Sequence, residues 1–468
     1  MPDLELIIRN GNLVASTGVT KTDIGIAEGK IVALLPSITA STREEINATD
    51  LHIFPGIIDA HVHFNEPGRT DWEGIETGSR ALAAGGGTMF FDMPLNAHPP
   101  TCDAGSFDLK LAAAKKNSLT DFALWGGLVP QNLDQLERLA ERGVIGFKAF
   151  MSNSGIEDFS RADNSTLHKG MKRVAQTGLL VAVHAESESM TQKLSQERIA
   201  QQKTSVRDYL TSRPIEAELE AIRAAIDMTG DTRCPLHVVH VSSAEGVALI
   251  TEAKKRGADV TCETCPHYLV LTDRDMEKLG AIAKCAPPLR SGDEQEMLWQ
   301  RVLDGEVTTI GSDHSPSPPD MKRDANFFKV WGGISGVQHT LQLLLTRWSA
   351  GLRPGEFEEI VSNTNAPDRR SLLQTIARLT SSNVADRFRL PKTKGQVGVG
   401  ADADFSLVDL TQSINVAKED LLYRHPQSPY VGRTLRGKVL RTFLRGRAIF
   451  QDGKIVAKPS GNLVKPVL

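Results

Sequence analysis

Six residues suited to metal binding or proton transfer each end or follow a strongly apolar stretch of the chain. They are His61, His63, Lys148, His184, His240 and Asp313. His61 and His63 are separated by one residue, so on a β-strand both imidazoles point to the same face. A single histidine at a strand end is usually structural, but four histidines and an aspartate in this arrangement predict a metal site.

Lys148 is the unexpected member of this set, because an ammonium group has no lone pair to offer a cation. Burial favours the neutral amine, which can react with carbon dioxide to give a carbamate. The resulting N6-carboxylysine has two oxygens that can bridge two metal ions. The alternative is a lysine paired with a nearby carboxylate, and the surrounding histidines favour the carbamate.

The six residues divide into two sets, which predicts a pair of divalent ions. One ion would be held by His61, His63 and Asp313, the other by His184 and His240, with carbamylated Lys148 between them. Nitrogen and hard oxygen ligands favour Zn²⁺, with Co²⁺, Mn²⁺ and Fe²⁺ as alternatives. Two such ions would hold a bridging hydroxide as the nucleophile. Asp313 would be the catalytic residue that carries its proton to the leaving nitrogen.

The elements that would position these residues lie between about residues 51 and 385. Eight strand-like stretches alternate there with helical patterns: FPGIIDAHVHF, GGTMFFDMP, TDFALWGGL, GVIGFKAFM, LLVAVHAE, LHVVHVSS, ADVTCETCPHYLVL and TTIGSDHS. This alternation predicts an α/β fold with a (β/α)₈ TIM-type barrel, whose active site lies at the carboxyl ends of the strands. The stretch SPSPPDMKRDANFFKVWGGISG predicts a long loop that could act as a lid.

The two ends of the chain, residues 1–50 and 386–468, follow a different pattern. Short apolar runs near the N-terminus are broken by Asn-Gly and Glu-Gly, and similar runs return in VGVGADADFSLVDL and GKVLRTFLRGRAIFQDGKIV. Because short strands need another layer to cover them, we expect both ends to form one small β-sandwich-like domain. Two separate β units remain the alternative.

The composition argues against several classes of function. The 468 residues carry a net charge of −3, which indicates neither a nucleic-acid partner nor an anionic membrane. No apolar run reaches the roughly 18 residues that span a bilayer. The N-terminus lacks the pattern of a signal peptide, so we expect a cytoplasmic protein. The five cysteines are expected to be reduced, with Cys262 and Cys265 packed rather than metal-bound or redox-active.

The order HxH, lysine, histidine, histidine, aspartate resembles the amidohydrolase superfamily, and within it the cyclic amidohydrolases, over essentially the whole chain. Seven segments look like those of allantoinases: DAHVHFNEPGRTDWEG, FFDMPLNAHPPT, GFKAFMS, KCAPPLR, GSDHSPS, WGGISGVQ and HPQSPYVG. The resemblance implies hydrolysis of the hydantoin ring of allantoin to allantoate, a step of purine catabolism. It also implies substrate contacts from Asn96, Ser315 and Cys285, and a homo-oligomer, commonly a tetramer.

Other members of this group remain alternatives. A dihydroorotase typically carries an arginine after the HxH motif to bind the substrate carboxylate. This chain has Asn65 there, which suits a neutral substrate such as allantoin. A hydantoinase or dihydropyrimidinase acting on a related cyclic amide is the second enzymatic hypothesis. The third is a non-catalytic barrel scaffold, but such proteins generally lose metal ligands and all six are present here.

Overall fold

The computed structural model describes residues 3–350 and 371–468 of the chain. The strands are β1 (Leu4–Ala15), β2 (Gly18–Ala27), β3 (Lys30–Leu35), β4 (Thr42–Asn47), β5 (His52–Pro55), β6 (Ile57–Val62), β7 (Gly87–Asp92), β8 (Asp121–Leu124), β9 (Gly126–Gly127), β10 (Phe147–Phe150), β11 (Val181–His184), β12 (Leu236–Val238), β13 (Val260–Thr264), β14 (Thr309–Ile310), β15 (Phe405–Asn415), β16 (Thr434–Leu444), β17 (Arg447–Gln451) and β18 (Lys454–Ile455). The helices are α1 (Ile75–Ala84), α2 (Ala104–Asn117), α3 (Leu136–Arg142), α4 (Asn164–Thr177), α5 (Glu188–Ala200), α6 (Val206–Thr211), α7 (Ile215–Thr232), α8 (Ala244–Lys255), α9 (Pro266–Val270), α10 (Asp273–Leu279), α11 (Gly292–Leu303), α12 (Thr340–Ser349), α13 (Ser371–Ala377) and α14 (Asn383–Arg387). None of the helices in these ranges is long and apolar enough to cross a membrane.

The strands β6 to β14 form a ring of eight parallel strands, because β8 and β9 are separated only by Trp125 and act as one. One parallel run joins β6, β7 and β8, and a second joins β9 through β14 in chain order. A parallel bridge between Val62 and His314 connects the eighth strand to the first. The predicted (β/α)₈ barrel is therefore confirmed.

Burial explains why the barrel strands are apolar along their whole length. Every residue of β6, β7, β8 and β11 is buried, as expected for parallel strands covered by helices on one face and side chains on the other. The stretch ADVTCETCPHYLVL was predicted to be a strand, but only its first half is one. The strand β13 ends at Thr264, and α9 begins at Pro266. Proline has no N–H to donate to a neighbouring strand, but its backbone angle suits the first turn of a helix.

The strands from the two chain ends form one nine-stranded sheet. Its order is β18-β17-β16-β15-β5-β1-β2-β3, with β4 beside β1. β15 runs antiparallel to β5 and places Phe405 beside Pro55. The expectation that both ends share one domain is confirmed, and β5 belongs to this sheet. The boundaries 1–50, 51–385 and 386–468 stay predictions, and residues 351–370 of the predicted barrel range lie outside the described part.

A buried cluster of charges connects this sheet to the amino end of the barrel. The Lys394 ammonium lies 2.5 Å from Asp121, at the start of β8, and 2.7 Å from Asp404. Arg445 contacts Asp121 at 2.6 Å. Burial opposes the charge on Lys394, but the carboxylates outweigh it and raise its pKa. The cluster therefore holds the sheet against the barrel through paired charges.

A single carboxylate organises the first hairpin of the sheet. Asp23 in β2 accepts hydrogen bonds from the backbone N–H groups of Asn10 at 2.8 Å and Ile38 at 3.0 Å, and from Arg9 at 2.9 Å. Burial alone would raise the pKa of Asp23, but these donors lower it overall. The ionised carboxylate therefore holds the loop after β3 against the bulge in β1.

Candidate active site

The carboxyl ends of the barrel strands carry all six candidate ligands. His61 and Lys148 lie within β6 and β10, and His184 ends β11. His63 follows β6 directly, while His240 lies two residues after the end of β12 and Asp313 three residues after the end of β14. A cavity of about 460 Å³ opens at this end of the barrel, and the four histidines and Asp313 line it. Lys148 is completely buried.

Two histidines direct a ring nitrogen at the same oxygen of Asp313. The Oδ1 atom lies 3.3 Å from Nε2 of His61 and 3.4 Å from Nε2 of His63. The other ring nitrogens contact Glu263 Oε1 at 2.7 Å and the carbonyl of Leu95 at 3.4 Å. Because burial lowers the pKa of His61 well below its ordinary value, a proton is poorly held between these atoms. This donor set therefore fits a metal cation.

His184 and His240 form a second pair of facing nitrogens. Nδ1 of His184 lies 3.0 Å from Nε2 of His240, and burial lowers the pKa of both imidazoles. Nε2 of His184 contacts Glu186 at 2.8 Å, which leaves Nδ1 as the lone-pair nitrogen. Phe150 stacks on the His184 ring with centroids 4.6 Å apart. The pair is thus oriented and desolvated, as ligands of a second cation would be.

Lys148 lies among these groups with no hydrogen-bond partner for its amine. Its Nζ atom is buried and unpaired, 5.1 Å from the centroid of the Phe150 ring. Burial lowers the pKa of Lys148 to about 8, although the charges of Asp313 and Glu263 act in the opposite direction. A buried, unpaired amine whose pKa is lowered in this way loses its proton more readily than a free lysine, which suits the carbamate predicted from the sequence. No carboxylate pairs directly with Lys148 within the described residues.

Asp313 is the most accessible acid of the group. Its side chain is 14% exposed and lines the cavity. Burial works to raise the pKa of Asp313, but the imidazoles of His61 and His63 lower it below its ordinary value. The carboxylate is therefore ionised and can accept a proton.

Two further buried acids hold the ligand-bearing backbone in place. Asp59 accepts the N–H of His61 at 3.1 Å and the N–H of Ser312 at 3.0 Å, which ties β6 to the loop carrying Asp313. Burial raises the pKa of Asp59 to about 7 and that of Glu263 to about 8. Sequence reasoning missed both residues. The sequence feature that could have identified them is an acidic residue within an apolar strand, Asp59 in IIDAHV and Glu263 in VTCET, because an unpaired buried charge is costly.

Four residues of the candidate site have a left-handed backbone that non-glycine residues rarely adopt. The φ angles are 41° at His240, 45° at Asp313, 50° at Asn96 and 65° at Asn65. Asparagine and aspartate tolerate this region better than most residues, whereas histidine there is unusual. Such strain persists where the surrounding structure fixes a side-chain direction, as at functional sites.

The three residues predicted to contact substrate all line the cavity, and Asn65 does not. Asn96, Ser315 and Cys285 are part of the lining. Burial raises the pKa of the Cys285 thiol, so this cysteine contributes a neutral surface. The Asn65 amide lies 3.4 Å from the carbonyl of Pro316 and faces the loop rather than the cavity. The Asn65 amide therefore contacts the loop after β14 and not the cavity, and its role in substrate choice stays a prediction.

Three basic residues that line the cavity were also missed, namely Arg213, Lys284 and Lys329. Arg213 and Lys284 both line it, and Arg213 forms an ion pair with Glu186 and thereby supports His184. Arg213 lies in TSRPIE, which carries no pattern that would have indicated a cavity residue, whereas Lys284 directly precedes Cys285 in the allantoinase-like segment KCAPPLR. Lys284 contacts backbone carbonyls of the loop after β14.

Three further residues of metal-binding types, Cys262, Cys265 and His237, are packed in the protein interior. Cys262 and Cys265 are buried free thiols whose pKa values are raised by burial, which agrees with packed cysteines. His237 contacts the Thr261 hydroxyl at 2.7 Å and packs edge-on against Phe388. Its ring therefore turns away from His240, as expected for residues three apart on a strand.

Comparison with known proteins agrees with this fold and site. The model of the amidohydrolase family matches residues 52–449. The chain belongs to the amidohydrolase family, whose members use divalent metal ions. It is 52% identical over 466 residues to an allantoinase of Rubrobacter xylanophilus, covering 100% of this chain and 98% of the relative. It is 50% identical to an allantoinase of Solibacter usitatus, covering 99% and 97%.

Solved structures of similar proteins have the same architecture. The L-hydantoinase (dihydropyrimidinase) from Arthrobacter aurescens superposes with a TM-score of 0.92 at 30% identity, covering 99% of this chain and 100% of that one. The dihydropyrimidinase from Brevibacillus agri superposes with a TM-score of 0.87 at 29% identity, covering 98% of each. These superpositions cover nearly the whole chain, so the barrel and the sheet from both chain ends are shared with a hydantoinase and a dihydropyrimidinase.

Proposed function

We propose that this protein hydrolyses the hydantoin ring of allantoin to allantoate in a metal-dependent reaction. The observation that carries the hydrolytic chemistry is the convergence of His61 and His63 nitrogens on the Asp313 carboxylate at 3.3 and 3.4 Å, next to a second histidine pair. The assignment of allantoin as the substrate rests on relatives named allantoinases, which share 52% and 50% sequence identity with this chain over nearly their whole length.

The residues present fit a pair of divalent ions. One would be held by His61, His63 and Asp313, the other by His184 and His240, with carbamylated Lys148 as the shared ligand. Zn²⁺ is the first choice for such ligands, and Co²⁺, Mn²⁺ and Fe²⁺ are compatible with them. When bound, such ions polarise the amide carbonyl and lower the pKa of a water molecule.

The protein supplies orientation and proton transfer. Asp313 is ionised, faces the cavity and can take a proton from the attacking water and deliver it to the ring nitrogen that leaves. Glu263 and Glu186 fix the rings of His61 and His184 through their second nitrogens. Asn96, Ser315 and Cys285 would contact the substrate from the cavity lining.

A substrate panel tests this function directly. Purified protein, supplemented with Zn²⁺, Co²⁺ or Mn²⁺ and bicarbonate, is assayed with allantoin, 5-substituted hydantoins, dihydrouracil and dihydroorotate. We expect the highest kcat/KM with allantoin. Turnover of dihydroorotate without allantoin would contradict the proposal, and no turnover of any member with full metal content would favour the scaffold hypothesis.

A hydantoinase or dihydropyrimidinase activity is the second candidate, because the solved structures that superpose on this chain carry those names. A preference for 5-substituted hydantoins or dihydrouracil over allantoin in the same panel would establish it. The homo-oligomeric state and the cytoplasmic location remain predictions. Light scattering of the purified protein tests the expected tetramer.

A further inference from the structure

One wall of the cavity is a segment without helix or strand. The wall segment, Phe327–Gly333, follows the 3₁₀ turn Pro319–Lys322 in the long loop after β14. Phe328, Val330 and Trp331 from this segment line the cavity. The candidate metal ligands come from the barrel strands, so the reacting carbonyl of a bound substrate would lie beside those strands. The wall segment would then contact the other, non-reacting part of the substrate.

Lys284 anchors both ends of the wall segment from within the protein. Its Nζ donates to the carbonyls of Phe327 at 2.6 Å and Val330 at 2.5 Å, and its backbone carbonyl accepts the N–H of Gly333 at 2.7 Å. The side chain is buried, with the ammonium 4.5 Å from the centroid of the Tyr209 ring. An ammonium group has three donors, and here they are used on backbone carbonyls.

Lys322 anchors the C-terminal half of the same segment. Its Nζ donates to the carbonyls of Trp331 at 2.9 Å, Gly333 at 2.8 Å and Ala281 at 3.2 Å. No ion pair of Lys284 or Lys322 with a carboxylate is found in the described residues 3–350 and 371–468. The two lysine side chains thus donate to five carbonyls of the seven-residue wall segment, which has no helix or strand hydrogen bonds to pair them.

Packing restricts the wall segment further. Trp331 meets Trp72 edge-on with ring centroids 5.0 Å apart. Gly333 has φ 148°, and a Cβ atom there would lie 2.1 Å from the carbonyl oxygen of Ser315. The segment therefore abuts Ser315, and a displaced wall would change the cavity lining at this predicted substrate contact.

We propose that Lys284 and Lys322 are positioning residues that fix the wall segment, and that the fixed wall determines which ring substituent the cavity accepts. The proposal rests on the proposed function, since it assumes a cyclic amide bound with its reacting carbonyl among the histidines. Allantoin carries a ureido substituent that this wall would contact, whereas unsubstituted hydantoin has no substituent to place there.

Kinetics of the variants K284M and K322M test the proposal. With allantoin, KM should rise by about tenfold or more while kcat changes less than about threefold, because the wall acts on binding rather than on chemistry. The KM or inhibition constant of unsubstituted hydantoin should change less than about threefold. The control K278M removes an exposed lysine of α10 and should leave both ligands unaffected. An equal rise for both ligands, or a fall in kcat alone, would overturn the specificity role.

A second measurement needs no substrate and so separates this proposal from the proposed function. Trypsin cleaves after Lys329, an exposed residue within the wall segment, and mass spectrometry locates the cut. K284M and K322M should be cut there about tenfold faster than the wild type and K278M. Arginine variants, which keep charge and donors, should restore slow cleavage if the methionine variants fold poorly. Wild-type cleavage rates in both methionine variants would show that the ammonium groups do not hold the wall.

Discussion

Replacing Lys148 with methionine should stabilise the metal-free protein while abolishing metal binding and activity. Lys148 is fully buried, and its Nζ has no hydrogen-bond partner among residues 3–350 and 371–468. Burial lowers its pKa from 10.5 to about 8. Because a tenfold change in an equilibrium corresponds to ~1.4 kcal/mol, keeping the ammonium inside the fold costs about 3 kcal/mol at pH 7. Methionine is similar in length and uncharged, so most of this cost should disappear.

The stability difference between K148M and the wild type should depend on pH in a defined direction. Between about pH 8 and 10.5 the unfolded chain holds this proton more tightly than the folded protein, so the penalty shrinks as the pH rises. The gain from K148M should therefore be complete below pH 8 and fade towards pH 10.5. Urea unfolding of chelator-treated wild type and K148M measures it, with K278M as the control for loss of an exposed lysine.

Metal analysis and the substrate assay complete the experiment. K148M should bind at most a small part of the wild-type metal and show no measurable turnover, and short carboxylic acids added to Lys148→Ala should restore part of both. A metal-free K148M less stable than the wild type at pH 7 would refute the energetic reasoning. Full activity of K148M would refute the role of Lys148 as a ligand.

Three further changes test other parts of the structure. Asp313→Asn should keep much of the metal yet lose about 10²–10⁴-fold in kcat, because an amide cannot carry the proton; metal analysis and kinetics check this. Asp23→Asn should destabilise by about 2 kcal/mol at pH 7. This loss should start to shrink below about pH 4, where the unfolded carboxyl takes up its proton, and should vanish only below the lowered pKa of Asp23 in the folded protein, as urea midpoints across pH would show. Lys394→Met should cost about 3–5 kcal/mol, measured by urea unfolding, because it leaves Asp121 and Asp404 buried without their shared cation.

The barrel and its candidate ligands could be predicted because their signals are local. A strand buried on both faces is a continuous apolar run, and a histidine or aspartate at its end stands out, as at His61, His184 and Asp313. The pairing of the chain ends could also be expected, since neither set of short strands can cover itself. The helix at Pro266 was missed because its residues, PHYLV, are as apolar as a strand.

Residues whose partners are backbone atoms or distant side chains could not be predicted. Lys284 and Lys322 bind loop carbonyls, which leave no trace in the pattern of side chains. Arg213 acts through Glu186, 27 residues earlier in the chain. Asn65 follows the HxH motif, but its φ of 65° turns the amide towards Pro316, and no sequence pattern reports that angle.

The shared sheet has a consequence for the order in which the protein can be completed during synthesis. The edge of β5 that pairs with β15 has no partner until residues near Phe405 emerge, roughly 350 residues later. At about 5–20 residues per second, a ribosome needs on the order of half a minute for that stretch. During this interval the β1–β5 part of the sheet exposes an unpaired strand edge. All the barrel strands, β6 to β14, precede β15 in the chain, so the barrel can close first. Nascent chains stalled before β15 should therefore be the ones most dependent on chaperones.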